Sequence, residues 1–155
     1  MSKTNVIRLL EASKIRHDIK MYDVDENDLS GTTVAHKINV DEKIVFKTLV
    51  AYGDKTGFLV FCIPVNTELD LKKAAKVSGN KKVELIPTKN LLTVTGYVRG
   101  GCSPVGMKKK YPAFIDESAQ FIDKIYFSAG IRGMQVGVHP SDLLRITDSA
   151  FADLT

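Results

Sequence analysis

The spacing of apolar and polar positions changes period several times along the chain, and each change marks an element. After Thr4, a residue suited to capping a helix, Val6, Leu9 and Leu10 recur at helical spacing. His17 to Asp23 alternates instead, with Ile19 and Met21 on one side and Lys20 and Tyr22 on the other, which predicts a strand. Ser30-Gly31-Thr32-Thr33 predicts a turn that caps a short helix carrying Val34, Ala35 and Ile38. Ile44 to Tyr52 is almost entirely apolar or β-branched and predicts a buried strand. Gly53-Asp54-Lys55-Thr56-Gly57 then turns the chain back into Phe58 to Val65, giving a β-hairpin.

Beyond the hairpin, Leu69 to Val77 predicts a helix with lysines on one face, closed by Gly79. Lys82 to Ile86 can form a short strand, and Pro87 suits the first turn of another short helix, where its missing N–H costs nothing. A glycine-rich stretch runs from Gly96 to Gly106. Pro112 to Asp116, Lys124 to Ser128 and Met134 to Val138 predict three more strands, and a last helix starts near Pro140-Ser141-Asp142. No repeat, low-complexity segment or linker interrupts this order. At 155 residues the economical expectation is one α+β domain over 1–155, built on a mixed sheet.

Composition narrows the setting. No apolar run approaches the length of a membrane span, and the first residues lead into an amphipathic pattern rather than a signal-peptide block. Only two cysteines occur, Cys62 and Cys102, with no CxxC and no histidine nearby, so neither a disulfide framework nor a metal site is expected. A reducing cytoplasm is the default location. The formal charge is +4, and lysines cluster at Lys72-Lys73, Lys76, Lys81-Lys82 and Lys108-Lys109-Lys110. Such clusters serve either as solvated faces or as phosphate contacts, and charge alone leaves both open.

Three places carry candidate chemistry. Lys47 is the only charge between Ile44 and Tyr52, so it either snorkels to water or faces a polar cleft as a donor. Gly100-Gly101-Cys102-Ser103-Pro104 is either a tight bend or a loop whose backbone approaches a ligand closely. Phe127-Ser128-Ala129-Gly130-Ile131-Arg132-Gly133 runs a strand into a small-residue turn that can set Ser128 and Arg132 at a cleft rim. Conventional catalysts are absent in pattern: His17, His36 and His139 are scattered, Asp23/Asp25 and Asp41/Glu42 fall in turns, and Cys102 has no base near it in sequence. These residues by themselves describe an α+β domain with a glycine-lined polar cleft, and no reaction follows from them.

Taken in order, the motifs add more. Val45-Phe46-Lys47-Thr48-Leu49 resembles the V-F-K-T-L strand of the YbaK/EbsC family, which is kin to the editing insertion domain of bacterial prolyl-tRNA synthetases. Gly100 to Pro104 resembles the superfamily's G-x-x-x-P loop, and Ser128-Ala129-Gly130 with Arg132-Gly133 resembles its S-[AG]-G-x-R-G turn. Gly31-Thr32-Thr33-Val34-Ala35 resembles its early helix. The resemblance covers nearly the whole chain in order and spacing. It implies a mixed, mostly antiparallel, strongly curved (barrel-like) sheet flanked by helices, with the cleft at the mouth of the sheet.

The same resemblance implies hydrolytic clearance of misacylated tRNA, Cys-tRNA(Pro) and in this subfamily Cys-tRNA(Cys). Lys47 matches the main functional position, while Tyr22, Thr48, Gly100, Gly101, Pro104, Ser128 and Arg132 match substrate-binding ones. Implied partners are the acceptor end of an aminoacyl-tRNA and prolyl-tRNA synthetase; no cofactor, metal or membrane is implied. The family mechanism lets the substrate's own thiol attack its ester, which needs no protein nucleophile. One departure stands out: relatives commonly carry Asp two residues beyond the R-G pair, where this chain has Gln135. Another small substrate such as Ala-tRNA(Pro), or a non-catalytic module that binds tRNA or a synthetase, stays open at this level.

Overall fold

The computed structural model describes residues 3–155. Local signals act as expected at the first helix, α1 (Asn5–Ala12): the Thr4 hydroxyl accepts from the Ile7 N–H at 3.3 Å, and Val6, Ile7 and Leu10 are buried. Strand β1 (His17–Met21) follows, then α2 (Gly31–Lys37), capped by Ser30. The hairpin is β2 (Phe46–Gly53) and β3 (Gly57–Pro64), in register from Phe46 opposite Pro64 to Gly53 opposite Gly57. Ile44 falls outside β2, in a 3-10 turn capped by Asp41.

Helix α3 (Leu71–Ser78) starts two residues later than the apolar pattern indicates. Asp70 Oδ1 accepts from the N–H groups of Lys72 and Lys73, both at 3.0 Å, which fixes Asp70 as the cap. Gly79 ends the helix at φ 76°, a left-handed conformation that glycine adopts without strain. Next come β4 (Val83–Leu85), a 3-10 turn after Pro87, and α4 (Leu91–Thr95). Strands β5 (Ala113–Asp116), β6 (Ile125–Ser128) and β7 (Met134–Val138) lie where alternation and apolarity predict them, and α5 (Pro140–Thr147) follows. Strand β8 (Ala150–Ala152) has no counterpart in the periodicity. It is three residues long and exists by pairing in parallel with β5, beside a hydrogen bond from the Leu154 N–H to the buried Asp116 carboxylate at 3.2 Å.

Hydrogen bonding sorts the strands into a three-stranded antiparallel sheet, β1-β7-β6, and a five-stranded mixed sheet, β4-β2-β3-β5-β8. A single parallel bridge, Val45 to Tyr126, joins them at a corner. Where the sequence suggests one strongly curved, barrel-like sheet, the pairing therefore gives two sheets with a seam, because β2 keeps β3 and β4 as its ladder partners and only Val45, just before β2, bridges to β6. The α+β class and the mostly antiparallel mixture hold: only β3–β5 and β5–β8 are parallel ladders.

The hairpin lies between two cores. Phe46, Val60 and Cys62 face Ile125, Phe127, Met134, Val136 and Val138 of the smaller sheet, with α1 and Leu143 of α5 completing the cluster. Ala51, Leu59, Phe61 and Ile63 point the other way, against Ala74 and Ala75 of α3. Burial on both faces explains why these strands read as continuous apolar runs rather than alternating ones. Near the seam, Val45, Val65 and Tyr126 pack with Ala35 and Ile38 beside α2.

Candidate functional site

The seam between the sheets opens into a cleft of about 360 Å³. β2 supplies Lys47 and Thr48 to its wall, the start of α2 supplies Ser30 and Thr32, and the glycine-rich loop supplies Arg99, Gly100 and Cys102. Ser128 ends β6 at the same hollow, and Gln135 reaches it from β7. The lysine on the apolar strand and the glycine bend thus meet at one place.

Lys47 is half-buried, and among the described residues its ammonium has no hydrogen-bond or ion-pair partner. Burial lowers its pKa below the ordinary lysine value, and the charge of Glu68 opposes that only in part. The result is a cation held ready for a ligand acceptor. Ser128 is buried, and its Oγ accepts from the Gly130 N–H at 3.1 Å, which leaves the hydroxyl proton free to donate. Gln135 is 6% exposed, and its Oε1 is buried without a partner. Cys102 is a neutral thiol: burial pushes its pKa up to about 12.

Of the eight positions singled out in the sequence, Lys47, Thr48, Gly100 and Ser128 line this cleft. The other four do not. Gly101 is buried behind the wall, where an added Cβ would meet backbone atoms of Ile131 and Arg132 at 3.2 Å; its lack of a side chain lets the loop nest on that turn. Arg132 braces the same loop, donating from Nε to the Arg99 carbonyl at 2.8 Å and pairing with Glu26 at 2.6 Å. Pro104 borders a separate cavity with Val105, Met107 and Tyr111. Tyr22 lies in an adjoining hollow beside Val24, Leu29 and Lys37. Residue patterns alone missed Ser30, Thr32 and Arg99 as wall residues and read Gln135 only as a missing carboxylate. A signal for Gln135 was present: it is the one polar side chain between Met134 and Val138, and it sits directly opposite Ser128 in the β6–β7 register.

Residues 29–146, which include every wall residue named above, match the family model of the aminoacyl-tRNA editing domain. The chain belongs to the aminoacyl-tRNA editing domain family. It is 47% identical to EbsC of Enterococcus faecalis, a candidate Cys-tRNA(Pro)/Cys-tRNA(Cys) deacylase, over 99% of this chain and 93% of that one. It is also 26% identical to a proline–tRNA ligase of Brachyspira hyodysenteriae, over 72% of this chain and 20% of the ligase. Two solved structures share the editing-domain fold. One is the hypothetical protein APE2540, with a TM-score of 0.88, 20% identity and coverage of 97% and 99% of the two chains. The other is a candidate trans-editing enzyme for prolyl tRNA synthetase, with a TM-score of 0.82, 23% identity and 99% coverage of both.

Among the described residues no three or more His, Cys, Asp or Glu side chains are grouped as metal ligands would be, and no helix is long and apolar enough to cross a membrane.

Proposed function

We propose that residues 1–155 form a single deacylase domain that clears Cys-tRNA(Pro), and Cys-tRNA(Cys), by cleaving the aminoacyl ester in trans. The observation that carries the reading is the pairing of an unpartnered, half-buried Lys47 with the Gly100–Cys102 bend on one cleft whose only thiol is neutral. The 47% identity with the Enterococcus protein supports the substrate class.

An aminoacyl ester is already activated, so the protein has to orient it and stabilise charge. In the proposed step the substrate thiol attacks its own ester carbonyl. A carbon–sulfur bond forms, the bond from the carbonyl carbon to the ribose oxygen breaks, and the thiol proton ends on that oxygen; the products are free tRNA and a cyclic thiolactone. Lys47 donates a hydrogen bond to the carbonyl oxygen as negative charge develops there, or to the departing ribose oxygen. Ser128 and the backbone about Gly100 hold the aminoacyl group, while Gly101 and Arg132 keep the loop in place. An intramolecular attack held in this geometry reaches an effective molarity of about 10⁵ M or more, which supplies most of the rate without a protein nucleophile. The reaction needs no metal or cofactor. Acceptor-end tRNA is the binding partner, and prolyl-tRNA synthetase is the protein that would deliver it.

The test is deacylation of Cys-tRNA(Pro), Cys-tRNA(Cys), Ser-tRNA(Pro) and Ala-tRNA(Pro) by the purified chain. Cysteinyl esters should be cleared and seryl and alanyl esters spared. Equal turnover of Ala-tRNA(Pro) would end the thiol-assisted mechanism, and no turnover of any ester would leave a binding module.

A further inference from the structure

The cleft continues past Thr48 into a second chamber of about 230 Å³, and Thr48, Leu49, Arg99, Gly100 and Cys102 line both spaces. The far walls of this chamber are Leu85, Ile86, Thr88 and Leu91, so the side chains there are mostly apolar. Its floor is the edge of β2. Three hydrogen bonds establish which backbone groups face it. The Val65 N–H donates to the Val45 carbonyl, so odd-numbered residues of β2 pair with β3. The Val60 N–H donates outward to Pro112, and the Ile86 N–H donates to the Val50 carbonyl at 3.1 Å, so even-numbered residues point away from the hairpin interior. Beta-strand β4 pairs with β2 only from Ala51 to Gly53. Among the described residues no bond returns from the Val50 N–H to Ile86, where Pro87 carries the chain away. The Thr48 carbonyl and the Val50 N–H are therefore a free acceptor and a free donor, two residues apart on one edge, inside a chamber with mostly apolar walls. An unpaired N–H on a residue as buried as Val50 calls for a partner.

We propose that this chamber is a nucleobase site that selects adenine. Adenine carries an exocyclic amine next to a ring nitrogen acceptor; the amine donates to the Thr48 carbonyl and the nitrogen accepts from the Val50 N–H. Leu85, Ile86 and Leu91 cover the base, and Arg99, an exposed residue where the two spaces join, is within reach to bring its guanidinium over the base's face. A 6-oxopurine presents the reverse order, acceptor against carbonyl and N–H against N–H, and is rejected. Resting on the deacylase reading, the occupant is the terminal adenosine of the acceptor strand, with its aminoacyl group passing Thr48 into the chamber of Lys47. The same edge chemistry would also take a free adenine nucleotide, and the test separates the two.

The experiment measures binding of the full chain to 3′-cysteinylamido-3′-deoxyadenosine, to its inosine counterpart and to adenosine monophosphate, with amide hydrogen exchange followed at Thr48, Leu49, Val50 and Ala51. In the free protein the Thr48 and Val50 amides should exchange faster than Leu49 and Ala51. The adenosine compound should protect Val50, and the inosine compound should bind about tenfold more weakly or worse and leave Val50 unprotected. Equal affinity for the two bases, or no protection of Val50, overturns the adenine site. Adenosine monophosphate should bind at least about tenfold more weakly than the cysteinyl compound; equal affinity overturns the acceptor-end assignment in favour of a free nucleotide. Failure here is distinct from failure of the deacylase reading. Adenosine binding with Val50 protected but without turnover of Cys-tRNA(Pro) sinks only that reading, and turnover indifferent to adenosine or inosine at the 3′ end sinks only the base chamber.

Discussion

Replacing Lys47 with methionine should separate activity from stability. The side chain is half-buried, has no partner among the described residues, and is held below its ordinary pKa by burial, so its charge contributes nothing favourable to the folded state. Methionine keeps most of the volume between Leu49 and the cleft without that cost. Unfolding by urea should therefore shift by less than about 1 kcal/mol, in either direction. Activity should respond very differently. Loss of one preorganised donor to a developing oxyanion costs about 3–4 kcal/mol, or about 10²–10³ in kcat. Single-turnover deacylation of Cys-tRNA(Pro) is the assay, with the urea midpoint measured on the same preparation. Because the folded-state pKa is lowered, the ammonium is lost at a lower pH than that of free lysine, near 10.4. Wild-type activity should accordingly fall on the alkaline side with a midpoint below that value, and the methionine variant should lack this limb. A variant that clears Cys-tRNA(Pro) within about threefold of wild type refutes the role given to Lys47, and one that fails to fold refutes the claim that its charge is unpartnered.

Burial holds both thiols near a pKa of about 12, so alkylation of Cys62 and Cys102 at neutral pH should be about a thousandfold slower than for a free cysteine, and Cys102→Ser should keep most of the deacylation rate. Rapid labelling of Cys102 with matching loss of activity would make it a nucleophile instead. Gly101→Ala must displace the loop by a few tenths of an ångström, since the new methyl meets backbone atoms at 3.2 Å; deacylation should drop about ten- to a hundredfold, and an unchanged rate would show that the bend does not position substrate. Asn80 ties the β2–β3 turn to the end of α3, accepting from the Lys55 and Thr56 N–H groups and donating to the hydroxyls of Thr56 and Ser78. Asn80→Ala should lower stability by about 2–4 kcal/mol in urea unfolding, and a change under about 1 kcal/mol would contradict that anchoring.

How much was legible beforehand varies with the range of the interaction. The helix starts at Thr4 and Ser30 and the stop at Gly79 could be read directly, because a cap acts within about four residues and its chemistry lies in the local sequence. The hairpin was legible too, since its two apolar runs flank the Gly53–Gly57 turn and pair with each other. Lys47 stood out because a charge within an apolar strand is conspicuous without any structure. Strand β8 was invisible: three residues carry no period, and the strand depends on β5, more than thirty positions earlier.

Residue order alone determined where the helices and every strand but β8 form, that a cation lies on a buried strand, and that a glycine bend and a serine turn follow it. Tertiary structure alone decided what meets what. The cleft joins residues from Ser30 to Gln135, the Arg132–Glu26 pair that braces the loop spans 106 positions, and Gly100 faces the hollow while its neighbour Gly101 packs behind it. The open edge of β2 depends on β4 pairing only as far as Ala51. Periodicity fixes the side of a strand on which a residue falls, but it carries no information on which distant strand or loop covers that side. That choice is made by the summed packing of the whole chain.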